Sequence, residues 1–216
     1  MDITSIITEI LSDADKAAIT ILVKALFEKE IITIGNFTKK KRDNLIDAVK
    51  RLIKKPTLKD IKPEELIDKI EDIEPQTLQP ILEGVLIGDQ NEVIRQKWIN
   101  LLESAILGHQ IHPRYIETLR LLNGIDANVL EFMYDSRKRG NRLTNSEIVI
   151  ALQQRKIENV TEEMVKDSLY NLAEIGLCDV NNLQGKPRYS DMDSQNIYIS
   201  HFGGKFLYMV GEKSSD

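Results

Sequence analysis

Residues 91–122 read NEVIRQKWINLLESAILGHQIHPRYIETLRLL, and this stretch decides the fold. In its first half, apolar side chains recur every three or four residues, at Ile94, Trp98, Leu101, Leu102 and Ala105. That period places them on one face of a helix, for which Gly108 is the predicted C-cap. Pro113 then begins a second helix, which aligns Ile116, Leu119 and Leu122. The segment therefore predicts two amphipathic helices joined by a short junction.

The junction between these helices, GHQIHPRY, contains His109 and His112, two of the three histidines in the chain. Two histidines three positions apart ligate a metal only if one helical face or turn presents both to the ion. Pro113 disfavours a helical conformation at His112, so one continuous helix through the pair is not expected. The only third ligands nearby are Glu103 and Glu117. We predict no metal here and assign the imidazoles to capping or packing.

Composition indicates an ordinary helical protein. The 216 residues are 42% hydrophobic, 29% charged and only 6% aromatic, with 11 Gly and 6 Pro. This length is enough for one sizeable domain or two small ones. The net charge of −5 gives no reason to expect general affinity for nucleic acid. The single cysteine, Cys178, excludes an intramolecular disulfide and, because it follows an apolar helix end, is predicted to be a buried structural thiol.

No stretch of the sequence predicts a membrane span or an export signal. The N-terminus, MDITSIITEI, lacks a basic region and carries acids. The most apolar stretch, AAITILVKALF, contains a lysine and is much shorter than the roughly 20 apolar residues that cross a bilayer. We therefore expect a soluble, cytoplasmic protein that makes no contact with a membrane. Residues 31–37, IITIGNF, fit either a short strand or a turn.

Three helix starts in the C-terminal half share one signature. Each has a capping residue between two apolar residues that can clamp the first turn. The three are Ile125-Asp126 with Leu130, Leu143-Thr144 with Ile148, and Val160-Thr161 with Val165. The second also has the spacing of a capping box, from Thr144 to Glu147. Together they predict three short helices.

Two short strands follow these helices. Leu177–Val180 and NIYIS are separated by the polar loop NNLQGKPRYSDMDSQ, which is typical of an irregular β-hairpin, and a last helix covers Phe202–Val210. Three helices and a hairpin are the plan of a winged helix. We predict a mainly α protein, with a helical region over 1–124 and a winged-helix-like α+β module with a C-terminal helix over 125–216.

Charge is segregated in the N-terminal half. Ten basic residues lie between positions 39 and 62, namely Lys39, Lys40, Lys41, Arg42, Lys50, Arg51, Lys54, Lys55, Lys59 and Lys62. Nine acids and one lysine follow between Glu64 and Glu92. The basic stretch is either a surface for nucleic acid, anionic lipid or an acidic partner, or a solvated helix face that its acidic neighbour neutralises. The sequence favours the second interpretation.

The winged-helix-like module does not have the charge expected of a DNA-reading helix. The helix that would enter the major groove is TEEMVKDSLYNLAEIG, and its predicted outward face carries four carboxylates and one lysine. Those carboxylates would repel phosphates. Basic residues lie elsewhere, and they are the candidate contacts for nucleic acid or an acidic partner: Arg137, Lys138, Arg139, Arg142, Lys186 and Arg188. Use of the module for protein contact fits better.

No motif in the chain predicts catalysis. GVLIGD and HFGGKF lack the spacing and the strand–turn–helix setting of a phosphate-binding loop, and a helix start or a tight turn better explains Gly203-Gly204-Lys205. The third histidine, His201, does not obviously join the other two. We therefore name no catalytic, cofactor-binding or metal-binding residue, and we expect no cofactor. A non-enzymatic protein is favoured.

The stretch from 80 to 133 resembles the hallmark segment of the Abi-alpha family of bacterial proteins. That family shows W-x-N-L-L-x-S-A, then H-P-x-[FY]-[IV]-E-x-L-x-x-L, and then L-D-A-x-x-L. The matching residues here are Trp98, Asn100, Leu101, Leu102, Ser104, Ala105, His112, Pro113, Tyr115, Ile116, Glu117, Leu119, Leu122, Asp126, Ala127 and Leu130. NLAEIGLCDV and ISHFGGKFLYMV are similar to later family segments. The turn Asn123-Gly124-Ile125 departs from the usual S-P or N-P turn.

The resemblance implies a role in abortive infection, in which an infected bacterium halts growth and limits phage spread. It implies no catalytic residues. We expect a binding or sensor protein whose partner is a phage product or a toxin-like effector, and a homo-oligomer is compatible with this. A nucleic-acid-binding winged-helix regulator is the first alternative. An effector enzyme such as a nuclease is the second.

Overall fold

The computed structural model describes residues 38–59, 61–87, 91–138, 144–157, 159–180, 188–192 and 197–211. These residues form nine α-helices: α1 (Lys39–Ile53), α2 (Pro63–Glu71), α3 (Pro75–Leu86), α4 (Glu92–Ile106), α5 (Pro113–Leu121), α6 (Gly124–Lys138), α7 (Asn145–Gln154), α8 (Glu162–Glu174) and α9 (His201–Val210). Strands β1 (Cys178–Val180) and β2 (Ile197–Ile199) pair antiparallel, with Cys178 opposite Ile199. The prediction of a mainly helical chain with a short β-hairpin near its C-terminus is confirmed.

The described chain forms two compact units. Unit 1 contains the described residues up to 87 together with 95–116 and 210–211, and unit 2 contains 91–94 and the described residues of 117–209. The predicted domain division at 124/125 stays a prediction. Residues 31–37 lie outside the described residues. Among the residues described, no helix is long and apolar enough to cross a membrane.

Unit 1 is built around α1, α3 and most of α4. Pro63 and Pro75 are the first residues of α2 and α3, where a missing backbone N–H costs nothing. Helix α1 contacts α3. The core is aliphatic around one indole, and its fully buried members include Leu45, Leu78, Ile81, Leu82, Trp98, Ile99 and Leu101.

The junction between α4 and α5 has the predicted C-cap. Gly108 has a φ of 82°, a left-handed conformation that costs glycine little. The backbone N–H of His109 donates to the carbonyl of Ser104 (3.0 Å), and that of Gly108 donates to Ala105 (3.0 Å). This pair of bonds is a Schellman motif, which satisfies the last carbonyls of the helix. Helix α4 therefore stops where the sequence predicted.

Unit 2 contains α6, α7 and α8, which contact one another, while β1 contacts α8 and β2 contacts α6. Two of the three predicted helix caps are confirmed. The Thr144 side chain accepts a hydrogen bond from the Glu147 backbone N–H in a capping box, and the Thr161 side chain accepts one from Met164. Hydrogen bonds from Thr144 hold the pKa of Glu147 below its usual value. These caps fix where α7 and α8 begin.

The third predicted cap was wrong. Helix α6 begins at Gly124, and its cap is Asn123, whose Oδ1 accepts from the backbone N–H groups of Ile125 (2.8 Å) and Asp126 (2.9 Å). Asp126 lies in the first turn and returns a bond, because its Oδ2 accepts from the Asn123 N–H (3.1 Å). An Asn-Gly pair has a strong turn preference, and here its asparagine also caps a helix. The true cap was thus three residues earlier.

The last helix packs closely against the end of α8. The Ser200 hydroxyl donates to the Gly176 carbonyl (2.7 Å) and accepts from the Gly203 N–H (2.8 Å), so it caps α9. A Cβ on Gly203 would overlap the carbonyl oxygen of Leu177, whereas one on Gly204 would meet open space. The two glycines therefore belong to a helix start, as predicted, and only the first is required by close packing.

Candidate functional site

His112 caps the helix that follows it. Its Nδ1 accepts a hydrogen bond from the Arg114 backbone N–H (3.1 Å), which is one of the unsatisfied donors at the start of α5. Its ring meets the Tyr115 ring edge-on, with centroids 6.2 Å apart. The predicted capping role of His112 is confirmed. Across the described part of the chain, no three His, Cys, Asp or Glu residues are grouped so as to hold a metal ion.

A buried polar network connects the end of α1 to the middle of α4. Glu103 is completely buried and Asn100 is 3% exposed. The Lys55 ammonium lies 2.9 Å from Glu103 Oε2 and donates to Asn100 Oδ1 at 2.7 Å. The Thr57 hydroxyl donates to the other carboxylate oxygen of Glu103. We call these four residues the Lys55–Glu103 network.

The network holds unit 1 together and leaves its polar groups engaged with each other. Asn100 Nδ2 also donates to the Val210 carbonyl (2.9 Å), and the Ser104 hydroxyl donates to the Asn100 carbonyl (3.0 Å). A buried ion of this kind is tolerated only when its partner and hydrogen bonds are present, and breaking such a pair costs about 3–5 kcal/mol. The arrangement therefore suits positioning of helices, since each of these groups already has a partner.

Next to the network, a second set of charges joins the outer sides of α1 and α4. Asp47 Oδ2 accepts from Arg51 Nε (2.8 Å) and from an Arg95 guanidinium nitrogen (2.6 Å). Arg51 also donates to Gln96 Oε1 (3.2 Å). Two residues of the basic stretch, Arg51 and Lys55, are therefore used inside unit 1. Sequence reasoning had placed both on a surface.

Trp98 is the central side chain of unit 1. It is completely buried, and a Cβ placed on Gly84 of α3 would overlap three atoms of its indole ring. Only glycine lets α3 approach the ring this closely. The indole N–H has no hydrogen-bond partner among the described residues, so the ring is held by packing. The GVLIGD stretch, which we rejected as a phosphate loop, thus contains the glycine that accommodates Trp98.

Asp126 is the buried acid of unit 2. It is fully buried, and besides its bond from Asn123 it accepts from Asn171 Nδ2 on α8 (2.7 Å). Burial raises the pKa of Asp126 above its usual value, against the opposing effect of these hydrogen bonds. Asn171 is therefore turned towards α6. The acid joins the first turn of α6 to α8.

Cys178 is a structural thiol. It is buried at 2% exposure at the start of β1. Burial raises the pKa of the thiol far above its usual value, with the nearby Asp179 as a smaller cause. Because the thiolate is the nucleophilic form, this environment makes the sulfur unreactive. The predicted role is confirmed.

The outward face of α8 is acidic and partly covered by the chain itself. The ring of exposed Tyr189, which precedes β2, lies under the Lys166 ammonium (4.6 Å from the ring centroid) and edge-on to Tyr170 (6.0 Å). A hydrogen bond to Asp167 raises the pKa of the Tyr189 hydroxyl. Of the four carboxylates predicted here, Glu162 bonds the Ser146 hydroxyl, and all four are exposed. We call Glu163, Asp167, Tyr170, Glu174 and Tyr189 the α8 surface.

Most of the predicted basic contacts lie outside the described residues. Arg139, Arg142 and Lys186 lie outside the described residues, as do the side chains of Arg137 and Lys138, whose backbone forms the end of α6. Arg188 is exposed and directly precedes Tyr189. Arg188 is therefore the one member of the set whose side chain the structure describes, and the role of all six remains a prediction.

A known protein family matches most of the chain. The family model described as abortive infection alpha matches residues 40–207, which is most of the chain. The chain belongs to the abortive infection alpha family. No curated protein matches the chain, and no solved structure does.

In this abortive infection alpha protein, the residues that carried the resemblance are mainly internal. Trp98, Leu101 and Leu102 are core residues, and Asn100, Ser104 and Asp126 are buried polar residues with hydrogen bonds inside the chain. The hallmark is therefore a signature of the fold. Sequence reasoning missed the Lys55–Glu103 network because its two charged members are 48 positions apart. It missed Tyr189 because that residue lies in a single 3-10 turn, Tyr189–Asp191, within a polar stretch that has no periodic pattern.

Proposed function

We propose that this protein is a non-enzymatic binding protein of an abortive-infection system, and that the α8 surface contacts a protein partner. The observation that carries the proposal is the position of Tyr189 on α8. Its ring is stacked on Lys166, the only lysine of that helix, and its hydroxyl is bonded to Asp167. The winged-helix-like module is thus proposed to use for protein contact the helix that would otherwise read DNA.

The chemistry of the α8 surface favours a basic partner. Glu163, Asp167 and Glu174 are spaced by four and seven residues, which places their carboxylates along one face of the helix. Two tyrosine rings lie beside them. Carboxylates pair with arginine and lysine, and aromatic faces attract the same cations. A phosphate backbone would be repelled, so an arginine- or lysine-rich surface on a phage product or a toxin-like effector fits best.

The proposal is tested by capture of partners during phage infection. Tagged wild-type protein is compared with Glu163→Lys/Glu174→Lys, and the control is Glu117→Lys/Asp179→Lys, which makes the same charge change at exposed acids on α5 and β1. We expect one partner to be retained by wild type and control and lost, by at least about tenfold, from the α8 variant. Equal capture by all three proteins would refute the proposal.

A nucleic-acid-binding regulator is the second candidate, and the exposure of Arg188 beside the α8 surface is what favours it. It predicts binding to labelled DNA or RNA duplexes that weakens steeply with salt. Replacement of Arg137, Lys138, Arg139, Arg142, Lys186 and Arg188 by alanine would abolish that binding. Unchanged anisotropy of DNA and RNA probes at low salt would eliminate this candidate.

A further inference from the structure

The basic stretch of unit 1 has a set of lysines that form no ion pair within the part of the chain that the structure describes. Six ammonium groups have no ion pair with any residue that the structure describes, those of Lys39, Lys41, Lys50, Lys54, Lys59 and Lys62. Lys39, Lys50 and Lys54 are spaced by eleven and four residues, or about three turns and one turn. They therefore lie on one side of α1, away from its buried side chains, and we call them the basic row.

Helix α2 has the opposite charge. Glu64, Asp68 and Glu71 are exposed and spaced by four and three residues, so they share one face, and exposed Asp72 continues it. Glu64, Asp68 and Asp72 have no ion pair with a described residue, whereas Glu65, to one side, pairs with Lys69 (3.7 Å). We call Glu64, Asp68, Glu71 and Asp72 the acidic row.

Each row has charges at one end that oppose the helix dipole, although Lys50 and Lys54 of the basic row and Glu64 of the acidic row lie at favourable ends. The N-terminus of a helix favours acids, yet the first turn of α1 has no acid and begins with Lys39, Lys40 and Lys41. The C-terminus favours bases, yet in α2 the basic Lys69 is followed by Glu71 and by the C-cap Asp72. Charges that weaken their own helix require another explanation. Their segregation onto two successive helices of one unit points to a role at the surface.

We propose that two copies of this chain associate through these rows, with the basic row of each copy facing the acidic row of the other. Because one unit presents both charges, a two-fold axis would form two such contacts at once, and two-fold dimers are the commonest closed assembly. The basic row is about 22 Å long and the core of the acidic row about 10 Å, at 1.5 Å per residue. Each acidic row therefore fits within the length of a basic row.

A second copy suits the rows better than a nucleic acid or an anionic membrane does. The acidic row follows the basic row by only ten residues of chain and would repel phosphates brought to α1. Residues 38–62 contain no aromatic side chain, so they offer no stacking platform for bases. The two acids on the same side of α1, Asp43 and Asp47, are both engaged within the chain. A second copy of the chain has both rows, so its acidic row can pair with the basic row and its basic row with the acidic row.

The test is a charge-reversal exchange followed by size-exclusion chromatography with light scattering. The basic-row variant is Lys50→Glu/Lys54→Glu, and the acidic-row variant is Asp68→Lys/Asp72→Lys, which has the same four-residue spacing. We expect wild type to have the mass of two chains at about 100 μM in about 50 mM salt, and to dissociate at least tenfold more readily at about 300 mM salt. Each variant alone is expected to be monomeric, with the circular dichroism of wild type.

The decisive sample is an equimolar mixture of the two variants. One carries acids on both rows and the other carries bases on both, so the mixture restores attraction at both contacts and is expected to regain the mass of two chains. A mixture that stays monomeric would overturn the proposal, as would a monomeric wild type. So would binding of duplex DNA or anionic vesicles by a monomeric wild type, if the basic-row variant lost it.

Discussion

Replacing Gly84 by alanine tests the packing at the centre of the hallmark segment. Gly84 is inside α3, and in an exposed helix Gly→Ala stabilises by about 1 kcal/mol because alanine restricts the unfolded chain and favours the helix. Here the added Cβ would overlap three atoms of the Trp98 ring. That ring is fully buried, so it has no room to withdraw.

The sign of the effect follows from these magnitudes. Overpacking of a core costs about 1–3 kcal/mol and occasionally more. Since a rigid indole sits where the methyl must go, the cost should reach or exceed the top of that range. After subtraction of the propensity gain, we expect Gly84→Ala to lower the free energy of unfolding by about 2 kcal/mol. Gly204→Ala is the matched control, because a Cβ there meets open space, and it should gain about 0.5–1 kcal/mol.

Urea unfolding measures both changes. The chain has a single tryptophan, so its fluorescence reports unfolding around Trp98, and far-UV circular dichroism reports helix loss in both units. The double variant Gly84→Ala/Trp98→Phe, unfolded in urea and followed by circular dichroism, should recover part of the lost free energy of unfolding, because the smaller ring leaves room for the methyl. A Gly84→Ala protein as stable as wild type would refute the close approach of α3 to Trp98.

Three further predictions concern stability. Glu103→Ala should cost about 3 kcal/mol in urea unfolding because it leaves the Lys55 ammonium buried without its carboxylate, whereas Glu65→Ala, at an exposed pair, should cost less than about 0.5 kcal/mol; equal losses would contradict this. Lys156→Gly should raise the free energy of unfolding by about 1 kcal/mol, and the melting temperature with it, because Lys156 has a φ of 62°, a left-handed conformation that is costly for any residue except glycine. Asp126 has a raised pKa in the folded protein, so it stabilises the fold below its usual value of 3.8, and that contribution is lost as pH rises through the raised pKa. The free energy of unfolding of wild type relative to Asp126→Asn should fall over that range, and a constant difference would be inconsistent with the buried acid.

Local signals were sufficient for much of the fold. Thr144 and Thr161 each lie directly before their helix with an apolar clamp around the first turn, and Gly108 ends an amphipathic run, so the chain near each residue determines the structure there. Asp126 was wrongly predicted to be a helix cap because it also precedes an apolar residue at the right spacing, Leu130. The neighbouring Asn123-Gly124 turn started the helix earlier and moved the acid into the first turn, where it is buried.

The site residues depended on contacts between distant parts of the chain. Nothing around Lys55 or Glu103 indicates that they meet, because the pairing of α1 with α4 is a property of the packed unit. The same is true of Tyr189, whose 3-10 turn lies in a stretch without periodicity but places its ring on α8. Composition did predict that α8, the helix that would read DNA in a winged helix, is acidic. The contacts of Tyr189 show, in addition, that Lys166, the lysine of α8, already lies against the Tyr189 ring.

The most direct test of the account is protection of a bacterium against phage by the α8 variant. Cells expressing wild type, Glu163→Lys/Glu174→Lys, or the control Glu117→Lys/Asp179→Lys are plated with phages that wild type restricts. We expect phages to form as many plaques on cells with the α8 variant as on cells without the protein, whereas the control still protects. The expression level and circular dichroism of the α8 variant should match those of wild type. Full protection by the α8 variant would contradict the proposal that this surface carries the function.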